Sequence, residues 1–174
     1  EHHLRSNQIR EYTHGATVAT NAIITRKGAV TGLITTKGFR DVLEIRRMRV
    51  HKLYDLSWEK PKPLVPRHLR LEVPARMNPW GAEEPLDEKA TRQVIQQLLK
   101  EGVESVAVCL LHSYVNGAHE QRIRELIKEM APDMLVSISS EILPEIKEYE
   151  RTSTTVINAY VQPSVRRYFL SMER

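Results

Sequence analysis

The sequence lacks the features that mark secreted and membrane proteins. Its single cysteine, Cys109, excludes a disulfide framework and a cysteine-rich zinc site. It contains no Asn-x-Ser/Thr site, no signal peptide and no apolar stretch long enough to span a bilayer. We therefore expect a cytoplasmic protein that does not insert into membranes, in which Cys109 is a buried, inert thiol.

Common nucleotide, metal and hydrolase motifs are absent as well. The chain has no G-x-x-x-x-G-K-[ST], G-x-G-x-x-G, H-E-x-x-H or G-x-S-x-G sequence. The pair His119-Glu120 lacks the second histidine that a helical zinc site needs, so we predict no metal site formed by motif residues. Any nucleotide site must be of another kind or be completed by other sequence.

The charge balance argues against a nucleic-acid partner. The 26 Lys and Arg residues against 22 Asp and Glu residues give a net charge of only +4. Aromatic residues make up 6% and are not interleaved with the basic residues, as a single-strand binding surface would require.

Apolar and polar segments alternate in the way that is typical of an α/β domain. The 174 residues are enough for one domain with a core. The chain lacks an initial methionine and stops at Arg174 within a helical pattern, so we expect a single domain, 1–174, of a longer polypeptide. The predicted elements are a helix from about Thr17, a strand at 32–36, a strand at Leu69–Val73, a helix from Asp87 to Gly102, a strand at Val103–Leu111, a helix capped by Asn116 and ended before Pro132, a strand at Met134–Ser139, and a helix at Ile146–Arg174 interrupted or kinked at Pro163.

Two polar clusters stand at the ends or starts of these elements. Gly15, Thr17 and Asn21 open the first helix, where free N–H groups suit a phosphate or carboxylate, although they are also ordinary capping residues. Thr35, Thr36 and Lys37 follow a predicted strand, where ligands of open parallel sheets gather. The alternative for this second cluster is a loop with a solvated lysine and an Asp41 helix cap.

Two further stretches have open interpretations. Residues 152–155 are four consecutive Ser/Thr residues, which indicate a helix start or hydroxyl groups lining a close contact or cleft. Beside them, Glu150 and Arg151 could form a local ion pair. The basic run 37–52 could bind an acidic partner or a carboxylate substrate, or could be a solvated face or a subunit contact.

Four phrases, in order, resemble the N-terminal domain of the hydantoinase A / 5-oxoprolinase family. They are HGATVATNAI at 14–23, TGLITTKGFRDVLEI at 31–45, SVAVCLLHSY at 105–114 and SSEILPEIKEYERTSTTVINAYVQP at 139–163. The resemblance implies a ribonuclease-H-like fold, akin to actin, Hsp70 and sugar kinases, with ATP and Mg²⁺ between two such domains. It also implies a hydantoinase B-type partner subunit or a homo-oligomer.

The chain departs from the family pattern at three places. Ala16 replaces a threonine of the usual Gly-Thr-Thr, and Arg46 stands where many members have glycine. The family's first phosphate loop, Asp-x-Gly-Gly-Thr-Phe-Thr-Asp, would precede His14 and is absent from this sequence. We therefore expect the chain alone not to hydrolyse ATP.

The resemblance predicts part of an ATP-dependent enzyme that opens cyclic amides, or of a related ketone carboxylase subunit, through phosphorylation of a substrate carbonyl or enol oxygen. The predicted site residues include His14 as an acid–base group. The nucleotide- or substrate-binding candidates are Gly15, Thr17, Asn21, Thr35, Thr36, Lys37, Glu150, Arg151 and Thr154. The alternative is a non-catalytic assembly module whose basic run binds a partner subunit.

Overall fold

A four-stranded parallel sheet forms the centre of the computed structural model, which describes residues 14–47, 54–55, 57–80 and 83–172. The strand order is β2-β1-β5-β6. A two-stranded antiparallel ribbon, β3-β4, lies outside this sheet. The elements are α1 Val18–Ile24, β1 Thr31–Thr36, α2 Val42–Ile45, a 3₁₀ turn Arg67–Leu69, β2 Arg70–Val73, β3 Arg76–Met77, β4 Glu83–Glu84, α3 Glu88–Lys100, β5 Ser105–Cys109, α4 Ala118–Met130, β6 Leu135–Ile138, α5 Ser139–Ile142 and α6 Glu148–Met172.

The chain changes direction across the sheet between β1 and β5. From β1 it moves to β2 on one side, and then returns past β1 to build β5 and β6 on the other side. This reversal leaves a topological switch point at the carboxyl ends of β1 and β5, the place where open α/β sheets bind ligands.

Helices cover both faces of the sheet, which explains why β1 and β5 are buried along their whole length. Helices α3 and α4 pack on one face, where Gly32 lets the Leu98 side chain approach the sheet closely. Helix α6 packs on the other face, with α1 against its outer side. Among the described residues, no helix combines the length and apolar character needed to cross a lipid bilayer.

Most predicted elements are confirmed, with shifted ends. Asp87 caps α3 by accepting a 2.9 Å hydrogen bond from the Ala90 amide, and Gly102 follows that helix with φ +69°. Leu69 is in the 3₁₀ turn, so β2 begins one residue later than predicted. Strand β5 is shorter than its apolar run, which continues as a buried loop through Leu111.

Three local predictions need correction. Asn116 lies one residue before the N-cap position of α4, although its side chain does accept a hydrogen bond from the Ala118 amide. Asp41 occupies the N-cap position of α2 without capping it, because its carboxylate instead binds the Arg67 guanidinium at 2.9 and 3.0 Å. That contact holds the pKa of Asp41 below its ordinary value. Helix α6 continues through Pro163, so the predicted interruption is wrong, whereas the predicted alternative, a kink at Pro163, stays a prediction.

Two arginines hold backbone conformations that favour glycine. Arg26 follows α1 with φ +53°, and the Arg26 and Lys27 amides bond to Ile23 and Ala22 as in a Schellman motif, whose left-handed residue is usually glycine. Arg46 follows α2 with φ +56° and ψ −138°, the conformation of the first central residue of a type II′ turn. The sequence therefore places large cationic side chains where the backbone would prefer no side chain at all.

We predict that R46G is more stable than R46A by about 1 kcal/mol, because glycine relieves the backbone strain that alanine retains. Urea unfolding of both variants measures the difference. At Gln96, an exposed position within α3, the order should reverse, and Q96A should exceed Q96G by about 0.5–1 kcal/mol. Equal stability of R46G and R46A, or a more stable R46A, would contradict the strain at this position.

Candidate functional site at the carboxyl edge of the sheet

The carboxyl ends of β1 and β5 are tied together by threonine hydroxyls. Thr35 Oγ1 donates a 2.8 Å hydrogen bond to the Cys109 carbonyl. Thr36 Oγ1 accepts a 3.1 Å bond from the Leu111 amide. Both threonines are buried, so their hydroxyls serve the contact between strands and do not face an open ligand site.

The loop after β1 already holds a carboxylate of this chain. Glu72 Oε1 accepts a 2.8 Å hydrogen bond from the Gly38 amide and a longer, 3.4 Å bond from the Arg40 amide. The Lys37 amide bonds to the Val73 carbonyl, and the Lys37 side chain is exposed. The backbone amides of residues 37–40 are therefore occupied by the Glu72 carboxylate and by backbone carbonyls.

Beside β5, the fully buried Glu120 carboxylate meets three donors. Its Oε1 accepts from the Leu110 amide at 2.8 Å and from Ser139 Oγ at 2.7 Å. Its Oε2 accepts from the Ser140 amide at 2.8 Å. A buried carboxylate is tolerated only when such donors replace water, so Glu120 fixes the start of α5 against the end of β5.

Arg151 is buried against the same strand end. Its Nη2 donates a 2.7 Å hydrogen bond to the Leu110 carbonyl, and its guanidinium lies 5.4 Å from the centre of the Tyr114 ring. Its Nε and Nη1 atoms are buried and have no hydrogen-bond partner within the structure described. Arg151 is thus a predicted site residue that carries a positive charge, is buried and has hydrogen-bond donors without a partner among the described residues.

Cys109 is a buried free thiol, as predicted. Its sulfur lies 3.1 Å from Thr152 Oγ1. Burial raises the pKa of the Cys109 thiol, and the nearby Arg151 charge opposes that shift only in part. The thiol therefore stays protonated and is unsuited to act as a nucleophile at neutral pH.

The remaining candidates on α6 face in different directions. Glu150 forms an exposed two-bond ion pair with Arg47, with the Arg47 Nε 2.8 Å from Glu150 Oε1. The expected pair between Glu150 and Arg151 is therefore wrong, because adjacent helical residues do not face each other. Thr152 and Thr155 are buried against the sheet, whereas Thr154 is exposed.

The structure does not bring the first polar cluster to this edge. His14 contacts the Tyr168 hydroxyl and stacks on that ring with 5.7 Å between centres. At a rise of about 1.5 Å per residue, helix α6 separates Tyr168 from Arg151 by about 25 Å. Thr17 and Asn21 are exposed and bond to each other at 3.2 Å, and Gly15 is exposed beside them. The predicted site residues therefore form two separate groups.

The described residues do not form a cradle for ATP phosphates at the switch point. The Thr35 and Thr36 hydroxyls bond within the sheet, and Glu72 holds the loop amides. No group of three or more His, Cys, Asp or Glu side chains in the described ranges could hold a metal ion. Residues 48–52 of the predicted basic run lie outside the described residues.

Sequence reasoning missed Glu120, which it considered only as part of a failed zinc motif. A signal was nevertheless present, because Glu120 shares one helical face with Ile123 and Ile127 at a spacing of three and seven residues. A carboxylate on an apolar face must find buried donors, and the neighbouring Ser139 and Ser140 provide them.

Comparison with known proteins now places the chain in a family. Residues 1–131 match the family described as the hydantoinase/oxoprolinase N-terminal region. The chain belongs to the hydantoinase/oxoprolinase family. This confirms the relationship that the four sequence phrases indicated.

Two of the relatives are named as enzyme subunits, and others are named as 5-oxoprolinases. The chain is 41% identical to caprolactamase subunit alpha of Pseudomonas jessenii over 159 residues, which cover 89% of the chain and 23% of the relative. It is 36% identical to the acetophenone carboxylase gamma subunit of Aromatoleum aromaticum, covering 88% of the chain and 23% of that subunit. The chain therefore spans about a quarter of the length of these relatives.

Solved structures agree with the mixed α/β fold and its parallel sheet. The crystal structure of the ATP-dependent caprolactamase of P. jessenii superposes with a TM-score of 0.86 and 40% identity, over 91% of this chain and 23% of that one. A nucleotide-free structure of acetone carboxylase superposes with a TM-score of 0.78 and 30% identity, over 86% of this chain and 23% of that one.

We predict that E120Q lowers the free energy of unfolding by about 2–3 kcal/mol, because the amide NH₂ cannot satisfy all three donors that now meet the carboxylate. Urea unfolding at pH 7 measures the loss. E125Q, at an exposed position of the same helix, is the matched control and should change stability by less than about 0.5 kcal/mol. A similar small change in E120Q would show that the buried carboxylate is not required.

Cys109 should react with a thiol reagent such as DTNB only when the protein unfolds, because the thiol is both buried and held protonated. The labelling rate at pH 8 in native buffer is expected to lie at least a hundredfold below the rate in denaturant. Rapid native labelling would contradict the burial of this thiol and reopen its assignment as an inert core residue.

Proposed function

We propose that the chain is part of an ATP-dependent enzyme that opens cyclic amides. The observation that carries the proposal is the likeness to caprolactamase, which extends over nearly the whole chain in both sequence and fold. Acetophenone carboxylase and acetone carboxylase are also similar to the chain, and their likeness supports a ketone-carboxylase activity as the alternative within the same family. Both activities are proposals for the whole protein, of which this chain is a part.

ATP and Mg²⁺ belong to this proposal through the family resemblance. ATP would convert a carbonyl or enol oxygen of the substrate into a good leaving group by phosphorylation, and a ribonuclease-H-like pair of domains would enclose it. We assign no step of that chemistry to the described residues, since their polar groups at the switch point bond to one another. Phosphate contacts would come from other parts of the polypeptide.

The contribution proposed for this chain is a rigid wall with positive charge. Glu120 and the threonine hydroxyls fix the ends of β1 and β5, so the residues after these strands keep their positions. The exposed Lys37 lies directly after β1 and can reach an anion across the edge. We further propose that the whole protein works with a partner subunit of the hydantoinase B type, or as a homo-oligomer, because its relatives are subunits of larger enzymes.

ADP release by the whole polypeptide that contains this chain tests the proposal. Caprolactam, hydantoin, 5-oxoproline, and acetone with bicarbonate serve as separate substrates, each with Mg²⁺ and with and without the partner subunit. Substrate-stimulated ADP release with one of the lactams or hydantoin, together with ring-opened product, supports the amidohydrolase. Stimulation by acetone with bicarbonate alone supports the carboxylase. No stimulated release by folded protein with its partner would favour the non-catalytic assembly module.

Separate substitutions test the two groups of predicted site residues, one at the sheet edge and one at the start of α1. K37A should lower kcat/KM by about tenfold or more if the amine contacts an anion, since a charge-assisted hydrogen bond contributes about 1.5–3 kcal/mol. H14A and T17A test the first group, whose exposed side chains can be removed without exposing the core. K89A, an exposed lysine on α3, is the matched control and should keep full activity. Unchanged kcat/KM in K37A would exclude Lys37 from the site.

A further inference from the structure

A cleft of about 240 Å³ lies on the side of the molecule formed by α1, α2, residues 61–64 and the first half of α6. Its floor is apolar and continuous with the core, because Leu43 and Val156 are both buried. The side chains that complete its apolar wall are Ile23, Leu64 and Ile157. The cleft therefore offers apolar surface to a compact apolar group.

Three cations line this apolar cleft: Arg26, Arg46 and Lys62. The Arg26 Nη2 donates to the Lys62 carbonyl at 2.9 Å, and the Arg46 Nη2 donates to the Pro61 carbonyl. Within the described residues, none of the three pairs with a carboxylate. A guanidinium carries five N–H donors, so each arginine is held in place by one bond and keeps others for a ligand.

Arg26 and Arg46 are the two arginines with strained, positive-φ backbone described above, and both line this cleft. Of the three non-glycine residues with positive φ in the described ranges, two line this one cleft. Glycine at either position would satisfy the backbone better and would remove the charge. Strain of this kind is typical of positions where the side chain itself is needed.

Two hydroxyl side chains add neutral hydrogen-bonding capacity. Tyr149 and Ser153 lie one helical turn apart on α6, and both line the cleft. In the structure described, neither hydroxyl makes a hydrogen bond. Within the part of the chain that the structure describes, the cleft thus combines an apolar floor, three cations that pair with no carboxylate and two hydroxyls that make no hydrogen bond.

We propose that this cleft binds a small organic carboxylate with a compact apolar body. The carboxylate would lie between the Arg26 and Arg46 guanidiniums, and the apolar body would rest on Leu43 and Val156. Sites for drug-sized ligands occupy roughly 300–1,000 Å³, so this cleft is too small for a whole nucleoside triphosphate. Inorganic phosphate would leave the apolar floor uncovered. The proposal does not rest on the proposed enzyme activity, because the binding requires neither ATP nor a partner subunit.

Calorimetric titration of the chain with benzoate tests the site, with benzyl alcohol and inorganic phosphate as probes of each half of the ligand. We expect benzoate to bind at least tenfold more tightly than either probe. R26G and R46G should each weaken benzoate binding at least tenfold, as expected for loss of a charge-assisted contact. Both substitutions place glycine where the backbone favours it, so loss of binding by unfolding is not expected, and circular dichroism checks this.

R166A is the matched control, because it removes an exposed arginine from α6 outside the cleft. It should bind benzoate as the unchanged chain does. Equal weakening in R166A would show a general charge effect and overturn the site. Full affinity in folded R46G and R26G would overturn it too, as would the absence of any benzoate binding. Phosphate binding as tight as benzoate would show that the cations recognise a free phosphate instead of an organic carboxylate.

Discussion

The Glu120 carboxylate is the interaction on which the carboxyl edge of the sheet depends. It joins the end of β5 to the start of α5 by accepting hydrogen bonds from three donors of the chain itself. The same strand end receives the buried Arg151 on its Leu110 carbonyl, so one residue of the chain is held by a carboxylate on its amide and by a guanidinium on its oxygen. The charged side chains of Glu120 and Arg151 therefore bind the backbone at the carboxyl end of β5.

The carboxyl edge of the sheet and the cleft between α1, α2 and α6 differ in how many hydrogen-bond donors they leave available to an anion. At the edge, Glu72 and Glu120 occupy backbone amides that would otherwise attract anions. In the cleft, the two arginines donate to backbone carbonyls, and neither pairs with a carboxylate within the described ranges. An anion therefore gains new hydrogen bonds in the cleft, whereas at the described edge it would have to displace an internal carboxylate.

Much of the fold could be predicted from the sequence because its signals are local. The β-branched run at 103–111 gave a buried strand, and Asp87 and Gly102 marked the two ends of α3 through capping chemistry. The hydrogen-bond partners of the candidate site residues could not be predicted, because those partners are distant in sequence. Arg151 bonds to Leu110 and Glu150 to Arg47, and nothing in the local pattern separates these adjacent residues into a buried and an exposed charge.

The separation of His14 from Thr36 was also invisible in the sequence, because it depends on the direction in which α1 lies along the long helix α6. The positive φ of Arg26 could not be predicted, since arginine rarely adopts it, whereas the glycine of the family pattern at position 46 was a signal for the positive φ of Arg46. The central claim is that the cleft between α1, α2 and α6 binds a small organic carboxylate, at a site separate from the anion contact proposed for Lys37. Anomalous diffraction from crystals of the chain soaked with 4-iodobenzoate tests it most directly. The account predicts an iodine peak over Leu43 and Val156 with the carboxylate at Arg46; a peak beside Lys37 and Thr36, with none in the cleft, would contradict it.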